Sequence, residues 1–176
     1  ASDVYKRQLI SKRILTDQKA ILVVGLLRVD KNKLFNSLVF LNSKGNIMHQ
    51  YDKIHLVPFG EYIPLRNKFT TIANVLSLKD FSSGNIKPNF TLKGFGNILT
   101  LICYEILFTE EVISRLSKNT NLLINITNDA WFGKTIGPYQ HLALAKIKAV
   151  ELGIPLARVA NTCLLYTSPS PRDLST

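Results

Sequence analysis

Cysteine is scarce in this chain: 176 residues carry only Cys103 and Cys163. That scarcity excludes a disulfide-dense secreted scaffold. No run of eighteen consecutive apolar residues occurs, so no segment reads as a membrane-spanning helix. The first residues lack the basic-then-apolar order of a secretory signal. Acids are few, 12 against 22 basic residues, giving a net charge of +10. Charged residues make up 19% of the chain and hydrophobic ones 46%, which excludes a charge-rich disordered polypeptide and supplies a core for one domain. The positive balance leaves nucleic acid, anionic lipid or neither open. The lysines are scattered and carry no nucleic-acid-binding motif, so nucleic acid is not an expected partner. His49, His55 and His141 lack metal-ligand spacing and a cysteine partner, and read as ordinary surface or loop histidines.

Both ends differ from the rest. Residues 1–8 have no periodicity, and residues 163–176 run Cys-Leu-Leu-Tyr-Thr-Ser-Pro-Ser-Pro-Arg-Asp-Leu-Ser-Thr. Both resemble translated sequencing-adapter read-through, so a non-native leader (1–8) and a non-native tail (163–176) are expected around a domain at 9–162. The other reading is a flexible native tail, because Ser-Pro-Ser-Pro is common linker chemistry. Without these ends, 19 basic and 10 acidic residues remain, with Cys103 as the single cysteine.

Between them, strands and helices alternate. Residues 21–26 are an apolar, β-branched run, and 34–41 and 46–51 flank the turn chemistry of Asn42-Ser-Lys-Gly45, which predicts a hairpin. Pro58, Gly60 and Pro64 mark 52–66 as a structured loop. Residues 67–78 read as a short helix or a surface arm. Strands are expected at 89–92 and 97–102, a helix over 110–118 capped by Thr109, and a strand at 122–126. The strongest helix signal is 138–152, where Leu142, Ala145, Ala149 and Leu152 form one stripe before Gly153-Ile-Pro155 stops it. One more strand follows at 155–160. A hairpin followed by alternating strands and helices indicates an α/β fold with helix-covered sheets.

Cys103 directly follows the apolar run 98–102, at the end of a buried strand, where α/β folds place reacting groups. Backbone N–H groups there stabilise a thiolate and an oxyanion. An inert core cysteine is the competing reading. Lys53, taken alone, reads as a solvated surface lysine. Glu61 lies in an apolar Pro/Gly loop; if buried it needs a cation, and Lys53 is the obvious one. Glu105 reads equally as a solvated turn residue. Trp131 and Phe132 place two large aromatics on a loop, as a hydrophobic plug or a substrate wall.

Several stretches together carry a resemblance. They are Tyr51-Asp-Lys-Ile-His-Leu-Val-Pro-Phe-Gly-Glu-Tyr-Ile-Pro-Leu65, Ile102-Cys-Tyr-Glu105, Asn128-Asp-Ala-Trp-Phe-Gly133, Gly137-Pro-Tyr-Gln-His141 and Glu151-Leu-Gly-Ile-Pro-Leu-Ala-Arg158. The chain resembles the nitrilase (carbon–nitrogen hydrolase) superfamily and, within it, the periplasmic domain of the apolipoprotein N-acyltransferases. The likeness implies an αββα sandwich, here incomplete at both ends, and a Glu–Lys–Cys triad. By it, Cys103 is the nucleophile, Lys53 the cation for thiolate and oxyanion, and Glu61 the second carboxylate that holds Lys53. Tyr104, Glu105 and Trp131 match positions flanking the nucleophile and the acyl-chain entrance, and so bind substrate. The implied reaction moves an acyl chain from a phospholipid, through a Cys103 thioester, to the amine of a diacylglyceryl-cysteine apolipoprotein. No metal or organic cofactor is implied. The parent enzyme implied by the likeness sits in a bacterial inner membrane, held by helices on both sides of a periplasm-facing domain.

The match departs from the family in three respects: it lacks the flanking membrane helices, its last strand is cut short after Asn161-Thr162, and it lacks an upstream glutamate. The family's general base is a glutamate upstream of the lysine, whereas between residues 9 and 21 the only acid is Asp17, in an unmatched polar stretch. The base reads as lost by truncation, and the isolated chain is expected to be inactive or nearly so. Two other functions compete: a soluble nitrilase-type amidase acting on a small amide, and a non-catalytic module that binds anionic lipid or a protein partner. The apolar stretch 69–76 permits membrane-surface contact in the latter.

Overall fold

The computed structural model describes residues 20–64, 80–85, 89–161 and 165–167. The chain divides into two compact units, Ala1–Ile86 and Lys87–Thr176.

The first unit is built on an antiparallel sheet of β1 (Leu22–Asp30), β2 (Lys33–Leu41) and β3 (Ile47–Asp52), in that order. β1 runs four residues past the apolar run that signals it, because the turn chemistry lies further on. Lys31 and Asn32 both have positive φ, 46° and 65°, the two-residue turn that matches the twist of a hairpin. The β2–β3 hairpin forms as expected. Asn42 Oδ1 accepts the N–H groups of Lys44 and Asn46, and Gly45 supplies the positive φ of 80°. Leu38 to Leu41 and Tyr51 are fully buried, so this hairpin contributes the unit's core.

A Pro/Gly loop follows β3, and residues 80–85 return beside it. The N–H groups of Phe81, Ser82 and Gly84 donate to the carbonyls of Glu61, Leu34 and Lys53 at 2.7, 2.7 and 2.9 Å. The backbones approach so closely that a Cβ on Gly84 would lie 2.2 Å from the Asp52 carbonyl oxygen. Only glycine fits there. The expected helix or arm at 67–78, the apolar stretch 69–76, Asp17, the leader 1–8 and most of the tail 163–176 lie outside the described residues.

The second unit holds a five-stranded sheet in the order β4 (Asn89–Leu92), β5 (Gly96–Ile102), β6 (Thr120–Thr127), β7 (Leu156–Ala160) and β8 (Leu165–Thr167). β5, β6 and β7 are parallel and form its centre; β4 and β8 pair antiparallel at the edges. β8 falls within the stretch 163–176 singled out in the sequence as foreign. Its Tyr166 packs against the core and lies 4.3 Å below Lys146 Nζ. Helix α1 (Thr109–Arg115) links β5 to β6, and α2 (Gly137–Leu152) links β6 to β7.

The core of this unit joins Leu99, Leu101, Leu123 and Leu156 from the sheet to Ile106, Val112, Ala145 and Ala149. Each fully buried leucine contributes about 1.5–3 kcal/mol. The α2 stripe is close to that expected, with His141 and Lys148 added to its buried side, and Gly153 ends the helix at φ 64°. α1 is shorter than its sequence suggests. Thr109 lies inside it rather than capping it, since its hydroxyl accepts a 2.6 Å bond from Lys148 Nζ. The Ser117–Thr120 turn closes it early. Among the described residues no helix is long and apolar enough to cross a membrane.

Candidate active site

The parallel register brings the carboxyl ends of three strands to one edge of the second unit: Ile102 pairs with Ile126, and Thr127 with Ala160. Cys103 is the next residue after β5. Its φ is 55°, a left-handed conformation rare for a residue with a side chain. A 3-10 turn, Cys103–Leu107, begins at that residue. The thiol is free and its residue partly exposed. Strain held at such a point is a mark of functional sites.

Two groups fix this elbow. Glu105 is fully buried; its carboxylate accepts the Ile102 N–H at 2.8 Å and pairs with Arg115 at 3.1 Å. Glu105 is therefore not the solvated turn residue its local sequence suggests; it ties the strand end to α1. Asn125, also fully buried, donates from Nδ2 to the carbonyls of Cys103 at 3.1 Å and Leu101 at 3.3 Å.

Behind Asn125 lies a buried charge network. Leu101, Asn125 and Arg158 sit in one row across β5, β6 and β7. The Arg158 guanidinium, 1% exposed, donates to Asn125 Oδ1 through Nη1 and to Asp129 through Nη2 at 3.1 and 3.3 Å. Asp129 is fully buried and also accepts from the Thr127 hydroxyl at 3.0 Å. His141 Nδ1 lies 3.2 Å from both Asp129 Oδ1 and Arg158 Nη2, so it donates to one or accepts from the other according to its tautomer. His141 is thus a buried histidine of α2, not the surface or loop residue expected. Its pKa is lowered, by burial first and then by the Arg158 charge, against the opposing pull of Asp129. Burial likewise lowers that of Arg158, with Asp129 opposing.

The turn Asp129–Phe132 separates two roles along one segment. Asp129 points inward, whereas Trp131 is 69% exposed. Asn161, after β7, clamps that turn: its amide donates to Asn128 Oδ1 at 2.6 Å and its Oδ1 accepts the Asp129 N–H at 3.0 Å. Tyr104 stacks on His141 with ring centroids 4.8 Å apart and a 14° tilt. Its pKa is raised, by burial first and then by the charges of Cys103 and Asp129.

In the first unit, Lys53 and Glu61 meet. Lys53 Nζ lies 2.6 Å from Glu61 Oε2, with side chains 1% and 10% exposed. Lys53 is therefore buried, contrary to the solvated residue its local sequence suggests. Glu61 is oriented by two further donors, Val57 N–H at 2.8 Å and Asn36 Nδ2 at 3.1 Å. The Lys53 backbone is held on both sides, its N–H by the Asn36 carbonyl at 2.8 Å and its carbonyl by Gly84. Beside it Asp52, 2% exposed, accepts from the Ser37 hydroxyl and Arg28. That pairing raises the pKa of Arg28.

Of the residues singled out in the sequence, Cys103 thus stands on the elbow of the second unit, while Lys53 and Glu61 pair within the first. Asn125, Asp129, Arg158 and Asn161, which brace the elbow and the turn beside it, were not among them. Asp129 and Arg158 stood inside quoted motifs, and their polarity on otherwise apolar strand ends was the available signal. Among the described residues no group of three His, Cys, Asp or Glu side chains is placed to hold a metal ion.

Comparison with known proteins agrees across sequence and fold. Residues 10–172 match the family model for carbon-nitrogen hydrolase. The chain is 42% identical over 155 residues to a Rhizobium etli protein named apolipoprotein N-acyltransferase, covering 83% of this chain and 29% of that protein. A Vibrio cholerae protein of the same name is 36% identical over 154 residues, covering 82% and 30%. The chain therefore spans under a third of the length of the curated relatives it matches. Among solved structures, a Saccharomyces cerevisiae member of branch 10 of the nitrilase superfamily superposes with a TM-score of 0.63 at 18% identity, covering 95% of this chain and 55% of the other. That likeness shows the fold: nitrilase-like mixed α/β, consistent with the expected αββα class.

Proposed function

This chain belongs to the carbon–nitrogen hydrolase family, and on that premise we propose that it is the cysteine-bearing domain of a bacterial apolipoprotein N-acyltransferase. The observation that carries the reading is Cys103, a partly exposed thiol on a left-handed elbow at the end of a buried parallel strand. The names of the relatives supply the substrate class. In the first half-reaction the Cys103 sulfur attacks a phospholipid ester carbonyl. The S–C bond forms, the ester C–O bond breaks, and the proton leaves with the lysophospholipid oxygen. In the second, the apolipoprotein amine attacks the thioester; the N–C bond forms, the C–S bond breaks, and the thiol regains a proton.

Lys53 supplies positive charge to the tetrahedral oxyanion, and Glu61 aims it. The 2.6 Å pair and the Val57 and Asn36 bonds support that assignment by fixing the ammonium in one place. Tyr104 and Trp131 border the acyl chain. The general base is an upstream glutamate that the 21 residues ahead of β1 do not offer, since their acids are Asp3 and Asp17. The sequence resemblance implies that the full-length enzyme sits in a bacterial inner membrane with this domain facing the periplasm.

The test extends the reading frame from the flanking genomic DNA and assays acylation of a diacylglyceryl lipopeptide. Wild-type full-length enzyme should transfer, and Cys103→Ala should lose at least 10³-fold. The purified 176-residue polypeptide should be 10²–10⁴-fold slower than full-length enzyme, the usual contribution of a general base. Transfer that survives Cys103→Ala overturns the assignment.

A further inference from the structure

We propose that Asn125 and Arg158 are positioning residues for the nucleophile: Arg158 fixes which way the Asn125 amide faces, and that amide anchors the Cys103 carbonyl on its left-handed elbow. The inference rests on the reading of Cys103 as the nucleophile. An asparagine amide has two faces, and only one presents donors to the strand-end carbonyls. Arg158 Nη1 donates to Asn125 Oδ1, a contact that only the oxygen can accept. The Nδ2 group is thereby turned toward the carbonyls of Cys103 and Leu101. Arg158 is itself aimed by Asp129, which its Nη2 grips while Nη1 holds Asn125. A planar fork reaches both partners at once; a lysine does not.

The row Leu101–Asn125–Arg158 crosses three adjacent parallel strands, so the chain of contacts is built into the sheet register. His141 from α2 and Tyr104 from the 3-10 turn close over it. Arg158 lies two residues before the end of β7, in register with Leu101, itself two residues before Cys103, and stability alone does not call for a charge there. A well-packed apolar side chain in its place is commonly neutral or better.

The test measures iodoacetamide alkylation of Cys103 in the 176-residue chain, resolved from Cys163 by peptide mass spectrometry, with folding followed by circular dichroism. Asn125→Asp keeps an acceptor for Arg158 but sets a carboxylate against the Cys103 carbonyl. Arg158→Lys keeps the charge but breaks the fork. Both should slow Cys103 at least tenfold across pH 7–9 in folded protein, while Cys163 keeps its rate. A folded Asn125→Asp or Arg158→Lys chain with the wild-type Cys103 rate overturns the inference. Should neither variant fold, the wild-type chain decides. Slow solvent exchange of the Asn125 side-chain amide protons by NMR supports the anchor, and exchange as fast as that of an exposed asparagine overturns it. The nucleophile reading fails separately: full-length Cys103→Ala would keep its transfer activity whatever the alkylation rates.

Discussion

The Lys53–Glu61 pair shows what a single residue does for its neighbours. Glu61 accepts three donors, the Lys53 ammonium, the Val57 N–H and the Asn36 amide. Glu61→Gln keeps an acceptor for one neutral donor and removes the charge that balances a buried ammonium. Breaking a buried pair in this way costs about 3–5 kcal/mol. The expected outcome is a clear fall in the urea midpoint with no change in its slope. Full-length Glu61→Gln should also lose transfer, because Lys53 is no longer held in one place. Lys53→Met removes the ammonium and should be milder on stability than Glu61→Gln, since the Glu61 carboxylate left behind keeps the Val57 N–H and Asn36 donors. Equal midpoints for Glu61→Gln and wild type would show that the pair is not buried in solution.

At the scale of elements, Glu105 decides how β5 hands over to α1. Its carboxylate replaces the missing partner of the Ile102 N–H and pairs with Arg115 of α1. Glu105→Ala leaves a buried N–H and a guanidinium without that acceptor, and about 3–5 kcal/mol should go. For a chain of this size that is a melting point lower by roughly 10 °C, readable by calorimetry. Elements were also where the sequence was most legible. Among the described residues, apolar runs and turn residues located seven of the eight strands and both α-helices, because side-chain period and Gly, Asn and Pro placement are local properties. The ends of elements were less legible. β1 runs on through exposed Leu27 and Val29 because its partner strand, not its own hydrophobicity, decides where it stops. Thr109 looked like a cap until a lysine 39 residues away claimed its hydroxyl. The same reason hid the network behind the Cys103 elbow. Cys103, Lys53 and Glu61 sit in a recognisable order along the chain, whereas Asn125, Asp129 and Arg158 meet only through sheet register.

For the molecule as a whole, buried histidine makes stability depend on pH. His141 faces Asp129 on its 3-10 turn, Arg158 on β7 and Tyr104 after β5. Burial, then the Arg158 charge, lowers its pKa below the usual imidazole range, and burial alone lowers that of His49 in the other unit. In the unfolded chain each titrates near 6.5. Above that value neither state binds the proton, and stability is at its full level. As pH falls below about 6.5, the unfolded state takes up protons that the folded state refuses, so stability declines until the folded value is passed. Each such histidine contributes at most about 1.4 kcal/mol per pH unit in that window. Urea midpoints measured from pH 8 to 5 should therefore be flat down to about 6.5 and fall below it. His141→Gln keeps a polar group beside Asp129 and Arg158 but has no proton to gain. Its profile should fall less steeply than wild type below pH 6.5, by the share of one histidine. A profile as steep as wild type would mean that His141 takes up its proton alike in the folded and unfolded chains, with the Asp129 carboxylate offsetting burial and Arg158.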